Sequence, residues 1–156
     1  MLYIQPMAAS EARQIAERIS EECLGVRVRM LSRIVTRTYD ELLRPHGIKF
    51  SQMNILSVLA LHGPIQPVQV GRRLSIEKST LSRNVRLMEA NGWLENLPGE
   101  ANTQLLRLTR RGRELYTKAA PAWQQAQERL AELLGDRATA ALRTAVNRLR
   151  GAETGA

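Results

Sequence analysis

The residues from Ser79 to Leu94, STLSRNVRLMEANGWL, constrain the fold of this chain more than any other stretch. Leu81, Val85 and Met88 recur at i, i+4 and i+7, which predicts a short amphipathic helix with a narrow buried stripe. Gly92 ends that helix, because glycine readily adopts the left-handed backbone of a helix C-terminus. The remaining face carries side chains that hydrogen-bond phosphates and base edges: Ser79, Thr80, Ser82, Arg83, Arg86 and, if it faces outward, Asn84.

The residues before this stretch predict the first half of a helix-turn-helix. Pro67 suits the first turn of a helix, since its missing N–H has no partner there in any case. Residues 75–78 then form the turn that leads into the next helix. Three cations on this half and its turn are placed to meet backbone phosphates: Arg72, Arg73 and Lys78.

The residues after it predict a β-hairpin followed by a basic helix start. Two short β-type runs, Trp93–Leu97 and Gln104–Leu108, flank a six-residue tip from Pro98 to Thr103. Thr109 is a suitable N-cap for the helix that follows. Cations near a helix N-terminus cost about 0.3 to 1 kcal/mol each unless an anion lies beside them, and a phosphate would supply one. The cations of this first turn are Arg110, Arg111 and Arg113.

The S-T-L-S-R-x-V run, the acidic residue before N-G-W-L, and the later L-R-L-T-R-R-G-R-E-L resemble the winged helix-turn-helix of the multiple-antibiotic-resistance regulator (MarR) family. The resemblance extends from Leu24 to Arg150 and is most specific between Gln66 and Leu115. It implies a mainly α fold with a small β-hairpin wing and with N- and C-terminal dimerisation helices. It also implies a homodimeric transcription regulator, most often a ligand-responsive repressor, that binds double-stranded DNA at a pseudo-palindromic operator.

The wing departs from the family pattern. The tip usually carries an Asp-x-Arg whose arginine reaches into the minor groove, and alignment on Leu108 and Thr109 puts Glu100 and Asn102 at those two positions. The nearest arginines that can replace the missing one are Arg107 and Arg110.

The rest of the chain predicts long helices on either side of this domain. Ser10 and Ser51 are candidate N-caps, and a break near Gly25 would divide the first long helix into two. The first helix is apolar on more than one side, so part of it should pack against another chain. The predicted order is a flexible arm (1–9), N-terminal dimerisation helices (10–44), the winged domain (45–113), C-terminal dimerisation helices (114–150) and a frayed tail (151–156).

The charge distribution supports a polyanionic partner. The net charge is +8, and nine basic against four acidic residues between Gly71 and Arg113 place +5 of it in one segment. No apolar run approaches the ~20 residues of a membrane span, and the first residues lack a signal-peptide pattern. We therefore expect a cytoplasmic protein with no membrane partner.

Catalytic and metal-binding functions are disfavoured. His46 and His62 are the only histidines, and neither lies in a cluster with metal-ligand spacing, so we expect no metal or other cofactor. No nucleophile–base set or paired carboxylates are present, so we do not expect an enzyme. Cys23 is either a small buried apolar residue or an oxidant sensor of the kind found in the family, with Arg27 at i+4 able to lower its pKa.

Two interpretations stay open at this stage. An effector, a small aromatic or amphipathic molecule, would bind between the dimerisation and DNA-binding lobes, although core packing explains the same side chains equally well; they are Met30, Tyr39, Trp93 and Trp123. Alternatively, the chain is a winged-helix protein-interaction module, in which the same helix docks on a protein and the basic residues only keep the surface soluble.

Overall fold

The computed structural model describes residues 7–154, and within them it confirms a mainly α fold with a β-hairpin wing. Two single 3-10 turns occur, at Arg44–His46 and Glu100–Asn102. The chain divides into two compact units, one ending at Arg37 and the other beginning at Thr38. The elements are α1 (Met7–Glu22), α2 (Leu24–Leu43), α3 (Phe50–His62), α4 (Pro67–Leu74), α5 (Lys78–Ala90), β1 (Leu94–Pro98), β2 (Gln104–Leu108) and α6 (Arg110–Thr154).

The first unit contains α1 and the first part of α2, separated at Cys23. The break that we predicted near Gly25 is thus present, and it lies two residues earlier, at Cys23. The Arg27 guanidinium satisfies carbonyls at the end of α1, because its Nη2 donates to the Glu21 carbonyl at 2.8 Å and to the Ser20 carbonyl at 3.4 Å.

The start of α1 corrects one sequence prediction. The helix begins at Met7, so Ser10 lies inside it and is not its N-cap. Ala8 and Ala9 have the highest helix propensity of any residue, which allows the helix to begin ahead of the serine. Residues 1–6 of the expected flexible arm lie outside the described residues.

The first unit leaves large apolar side chains exposed. These side chains recur along α1 and α2 at helical spacing, as the sequence predicted for a face that packs against another chain. Each is more than one third exposed in the single chain: Ile15, Ile19, Leu24, Val26, Val28, Met30 and Ile34.

The second unit is built around α3. Ile55 and Leu56 are fully buried, and α3 packs against α4, α5, α6 and β2. Because it is apolar on every side, α3 suits the centre of a domain rather than its surface. Leu61 is exposed at the end of the helix, just before Gly63 ends it with a φ of 69°.

The N-terminus of α3 is capped from outside the helix, and Ser51 is not its cap. The N-cap residue is Lys49, whose backbone N–H donates to Gln52 Oε1 at 3.0 Å. Asp40, on α2, accepts the Phe50 N–H at 2.7 Å. A carboxylate at this end also stabilises the helix dipole, so Asp40 connects α2 to the central helix.

The two strands form an antiparallel hairpin that a third segment extends. Leu94 pairs with Leu108 and Asn96 pairs with Leu106. Ile65, just before α4, exchanges two backbone hydrogen bonds with Leu106, of 3.1 and 2.8 Å. This bridge, which the sequence did not reveal, attaches the hairpin to the start of the helix-turn-helix.

The last helix, α6, begins at the predicted cap. Thr109 Oγ1 accepts the Gly112 N–H at 3.0 Å, which confirms Thr109 as its N-cap. The helix continues through Pro121, and Gly135 interrupts it with a φ of 75°. Beyond Gly135 the helix continues to Thr154, and it exposes three large apolar side chains in the single chain: Leu142, Val146 and Leu149.

Candidate nucleic-acid interface

The buried stripe of α5 fixes which of its side chains face outward. Leu81 and Met88 are buried, and Val85 is half-buried, as their spacing predicted. Of the predicted contact residues, Thr80 is half-buried. The other predicted contacts at the start and middle of the helix are exposed: Lys78, Ser79, Ser82, Arg83 and Arg86.

The turn before α5 sets how closely the two helices of the motif approach. Ser75 adopts a left-handed conformation with a φ of 52°, and the Ile76 N–H donates to the Gly71 carbonyl at 3.0 Å. A Cβ on Gly71 would lie only 3.3 Å from the Ile76 carbonyl oxygen and 3.6 Å from Leu81. Glycine at this position therefore lets α4 pack closely against α5 and holds the angle between them.

Five cations on this motif are exposed and carry no acidic partner. In the part of the chain that the structure describes, none of the five forms an ion pair within 4 Å, and Arg83 only approaches the Thr80 hydroxyl at 3.4 Å. Their guanidinium and ammonium groups are therefore available to an anion. The five are Arg72, Arg73, Lys78, Arg83 and Arg86.

Asn84 differs from its neighbours on α5. It is half-buried, and its Nδ2 donates to the Thr80 carbonyl at 3.1 Å, one turn back in the same helix. One of the two amide N–H groups is thus used by the helix itself, and the other N–H and the oxygen remain for outside partners.

The two arginines nearest the wing tip are already paired with carboxylates. Arg107 donates from Nε and Nη2 to Glu95 Oε1, at 3.0 and 2.8 Å, across the strands where the two residues are register partners. Arg110 donates to Glu114 at 2.8 Å, one turn along α6. Both remain exposed, but neither presents an unopposed charge.

The wing tip is a tight turn closed by its own hydrogen bonds. The Gly99 N–H donates to the Thr103 carbonyl at 2.8 Å, and Thr103 Oγ1 donates to the Glu100 carbonyl at 2.6 Å. Ala101 and Asn102 have positive φ values of 51° and 59°. The side chains of Glu100 and Asn102 are exposed at the end of this turn.

The hairpin is fastened to both neighbouring helices by contacts that the sequence did not predict. Asn96 donates to Glu89 on α5 at 3.0 Å, and Thr109 Oγ1 donates to the Gly92 carbonyl at 2.6 Å. A Cβ on Gly112 would lie 1.9 Å from the Trp93 carbonyl oxygen, so only glycine allows α6 to begin here. The glycine three residues after Thr109 was the sequence signal available for this contact.

An open groove of about 860 Å³ lies between α4, α5 and the inner face of the hairpin. Its apolar part includes Leu81, Val85 and Leu106, and the cations Arg72 and Arg86 lie on its border. None of the four residues predicted to line an effector site borders this groove.

Those four residues have separate surroundings. Met30 is exposed on α2 in the first unit. Tyr39 is buried, stacks on Phe50 with 4.1 Å between ring centroids, and donates to Gln127 at 2.5 Å. Burial raises the pKa of the Tyr39 hydroxyl above its usual value. Trp93 is buried at the hairpin base and Trp123 is half-buried on α6.

The remaining candidates form no further site in the described part of the chain. Cys23 is half-buried at the α1–α2 break, where Arg27 binds backbone carbonyls. Among residues 7–154, no three His, Cys, Asp or Glu side chains group as metal ligands. Over the same range, every helix is too short or too polar to cross a bilayer.

Residues 46–101 of the chain match the sequence model of the MarR family, and this range contains α4, α5 and β1. The crystal structure of the M. tuberculosis transcriptional regulator MosR superposes with a TM-score of 0.76 at 27% identity, over 87% of this chain and 98% of that one. The chain is thus similar to the MarR family in sequence over residues 46–101, and to the regulator MosR in fold over most of its length.

Curated sequences show a similar likeness to transcription regulators. The HTH-type transcriptional regulator YwoH of Bacillus subtilis is 29% identical over 86 residues, which are 54% of this chain and 63% of that protein. The chain therefore spans less than two thirds of this relative's length. A second MosR structure, a complex with DNA, superposes with a TM-score of 0.75 at 28% identity, over 86% of this chain and 98% of that one.

Proposed function

We propose that this chain is a sequence-specific DNA-binding transcription regulator that binds a pseudo-palindromic operator as a homodimer. The observation that carries the proposal is the group of five exposed, unpaired cations on α4 and α5. Guanidinium groups beside small hydroxyls suit phosphates and base edges. The complex of MosR with DNA supports the same conclusion by homology.

Each element has its own role in this proposal. α5 enters the major groove, where Arg83 and Arg86 donate to guanine O6 and N7 or to phosphates. Ser79 and Ser82 hydrogen-bond phosphates or base edges from the same face. Cations on the first half of the motif and at the start of α5 position the protein on the backbone without reading sequence, namely Arg72, Arg73 and Lys78.

The proposed dimer follows from the apolar surface that one chain leaves uncovered. Side chains such as Ile19 and Ile34 in the first unit, and Val146 and Leu149 on the last part of α6, are exposed. A second copy that buries these faces would create two-fold symmetry. Two recognition helices would then reach half-sites about 34 to 36 Å apart, one turn of the duplex.

We further propose that a small aromatic or amphipathic effector regulates the dimer. An effector lowers DNA affinity only if it binds more tightly to a dimer whose recognition helices are wrongly spaced. Met30, Tyr39, Trp93 and Trp123 remain our candidates for that site. Burial of Tyr39 and Trp93 in the single chain means that a ligand would reach them only after local repacking.

The test is operator binding by the full chain and by an R83A/R86A variant. Duplexes are first selected by the wild-type chain from a randomised library, and affinity is then measured by fluorescence anisotropy against shuffled competitor DNA. We expect the double variant to lose at least about 30-fold in affinity, because two charge-assisted contacts are removed. Its melting temperature should stay within a degree or two, because both side chains are exposed.

The matched control removes the same charge elsewhere. Lys118 and Arg129 are exposed on α6, outside the helix-turn-helix, so their double alanine variant should keep wild-type affinity. If both double variants bind DNA equally, the helix is not the DNA-binding element. If the wild-type chain selects no sequence above competitor, a winged helix that docks on a protein becomes the better explanation.

A further inference from the structure

The wing and the helix-turn-helix carry opposite charge. Residues 67–90 contain five cations and two acids, a net charge of +3, whereas residues 94–108 contain one cation and two acids, a net charge of −1. An element that contacts DNA is expected to carry positive charge, because its affinity comes largely from neutralised phosphates. The wing of this chain lacks that property.

The single cation of the wing is not free to compensate. Arg107 is held by Glu95 through two donors, at 3.0 and 2.8 Å, on the outer face of the hairpin. Directly opposed register partners place the two side chains side by side, so the pair forms without bending either strand. These two charges cancel locally, and the net charge of the wing is that of Glu100.

Glu100 lies at the tip of the wing. It opens the tight turn at the end of the hairpin, its side chain is exposed, and no cation within the described residues lies within 4 Å of its carboxylate. The hydrogen bonds that close the turn use its backbone carbonyl, not its side chain. The carboxylate therefore contributes nothing to the shape of the tip.

We propose that Glu100 is a negative specificity determinant that keeps the wing out of the minor groove. Narrow A-tract minor grooves have an enhanced negative potential, which attracts arginine and repels a carboxylate. The wild-type chain would then read its operator through α5 alone and ignore the sequence of the flanks that the wings face. This inference rests on the proposed DNA-binding function and adds which part of the operator is left unread.

The experiment compares flanking sequences on one selected core. The core of the duplex selected by the wild-type chain is kept, and its flanks are replaced by an A-tract or by a G·C-rich sequence. Affinity is measured at several salt concentrations for the wild-type chain, Glu100→Gln and Glu100→Arg. Glu132→Arg provides the control, because it makes the same charge change at an exposed position on α6.

The wild-type chain should bind both flanks within about twofold. Glu100→Arg should bind the A-tract duplex about threefold to tenfold more tightly, with a steeper salt dependence of about 0.9 per wing that gains a phosphate contact. The affinity of Glu100→Gln for the A-tract duplex should lie between those of the wild-type chain and Glu100→Arg. The affinity of Glu132→Arg should match that of the wild-type chain. The side chain does not shape the turn, so all variants should keep the wild-type circular dichroism spectrum.

Three results would overturn the proposal. If the wild-type chain strongly prefers A-tract flanks, its wing already reads them. If Glu100→Arg binds both duplexes as Glu132→Arg does, the wing tip does not approach the duplex. Failure of the wild-type chain to select any duplex removes the proposed function and this inference together, whereas selective binding with either of the first two results removes this inference alone.

Discussion

The helix-turn-helix and the wing are neighbours in the chain, yet they present different chemistry to a nucleic acid. The former exposes five unpaired cations on two helices, α4 and α5, that each bury their other side. The latter pairs its one arginine with Glu95 and ends on an acidic turn. The comparison shows that the hairpin keeps the architecture of a wing without the excess positive charge that favours binding to DNA. The following predictions test that difference, beginning with the largest expected effect.

The wing depends for its position on Gly112. In Gly112→Ala the new Cβ would lie 1.9 Å from the Trp93 carbonyl oxygen, so the hairpin base and α6 must separate. We expect a loss of about 3 kcal/mol or more in the free energy of unfolding, measured by urea denaturation. Gly151→Ala is the control, since a Cβ there meets nothing within 4 Å. Equal stability of the two variants would show that the close contact is absent in solution.

Thr109 joins the hairpin base to α6 by two hydrogen bonds. Its hydroxyl donates to the Gly92 carbonyl and accepts the Gly112 N–H. Thr109→Ala should cost about 1 to 2 kcal/mol of unfolding free energy, because a cap and a connection are both removed. Thr109→Ser keeps the hydroxyl and should restore most of that stability. If serine is as destabilising as alanine, the methyl group rather than the hydroxyl matters.

Single arginines from the two regions should differ in binding. Arg72→Ala should weaken operator binding about threefold to tenfold and reduce the salt slope by about 0.9, because a free phosphate contact is lost. Arg107→Ala should change affinity by less than about twofold, because its charge is already opposed by Glu95. The measurement is a salt titration of affinity for each variant. A larger effect from Arg107→Ala would place the wing on the DNA.

The ion pair on the wing should matter least to stability. Glu95→Gln removes one charge from a pair whose side chains are 43% and 48% exposed, so the unfolding free energy should fall by less than about 0.5 kcal/mol. The same change frees Arg107, which should raise operator affinity slightly at low salt. An unfolding transition shifted by more than 1 kcal/mol would mean that the pair sets the register of the strands.

The sequence predicted those elements whose signals are local. Pro67 and Thr109 mark helix starts through their own backbone or side-chain chemistry, and the structure places both where the sequence predicted. The prediction was wrong for a helix start that depends on a distant residue. Ser51 has a side chain that suits an N-cap, but α3 already begins at Phe50, whose N–H is accepted by Asp40 on α2.

The candidate site divides in the same way. The outward face of α5 followed from the spacing of Leu81, Val85 and Met88, because a buried stripe determines the opposite face. Which arginines stay unpaired did not follow from the sequence, since the partner of Arg107 is twelve residues away and is reached only in one strand register. Exposed apolar faces in the first unit and at the end of α6 were expected to be covered, and one chain alone does not cover them.

The contact between Gly112 and the Trp93 carbonyl is made by backbone, without a flexible side chain on either side. A rotamer change cannot absorb a displacement at such a contact. Any tilt at the start of α6 must therefore carry the hairpin base along, and through the hydrogen bond between Trp93 N–H and the Met88 carbonyl it must also pull on the last turn of α5. The start of α6 is therefore coupled to α5 through backbone contacts alone.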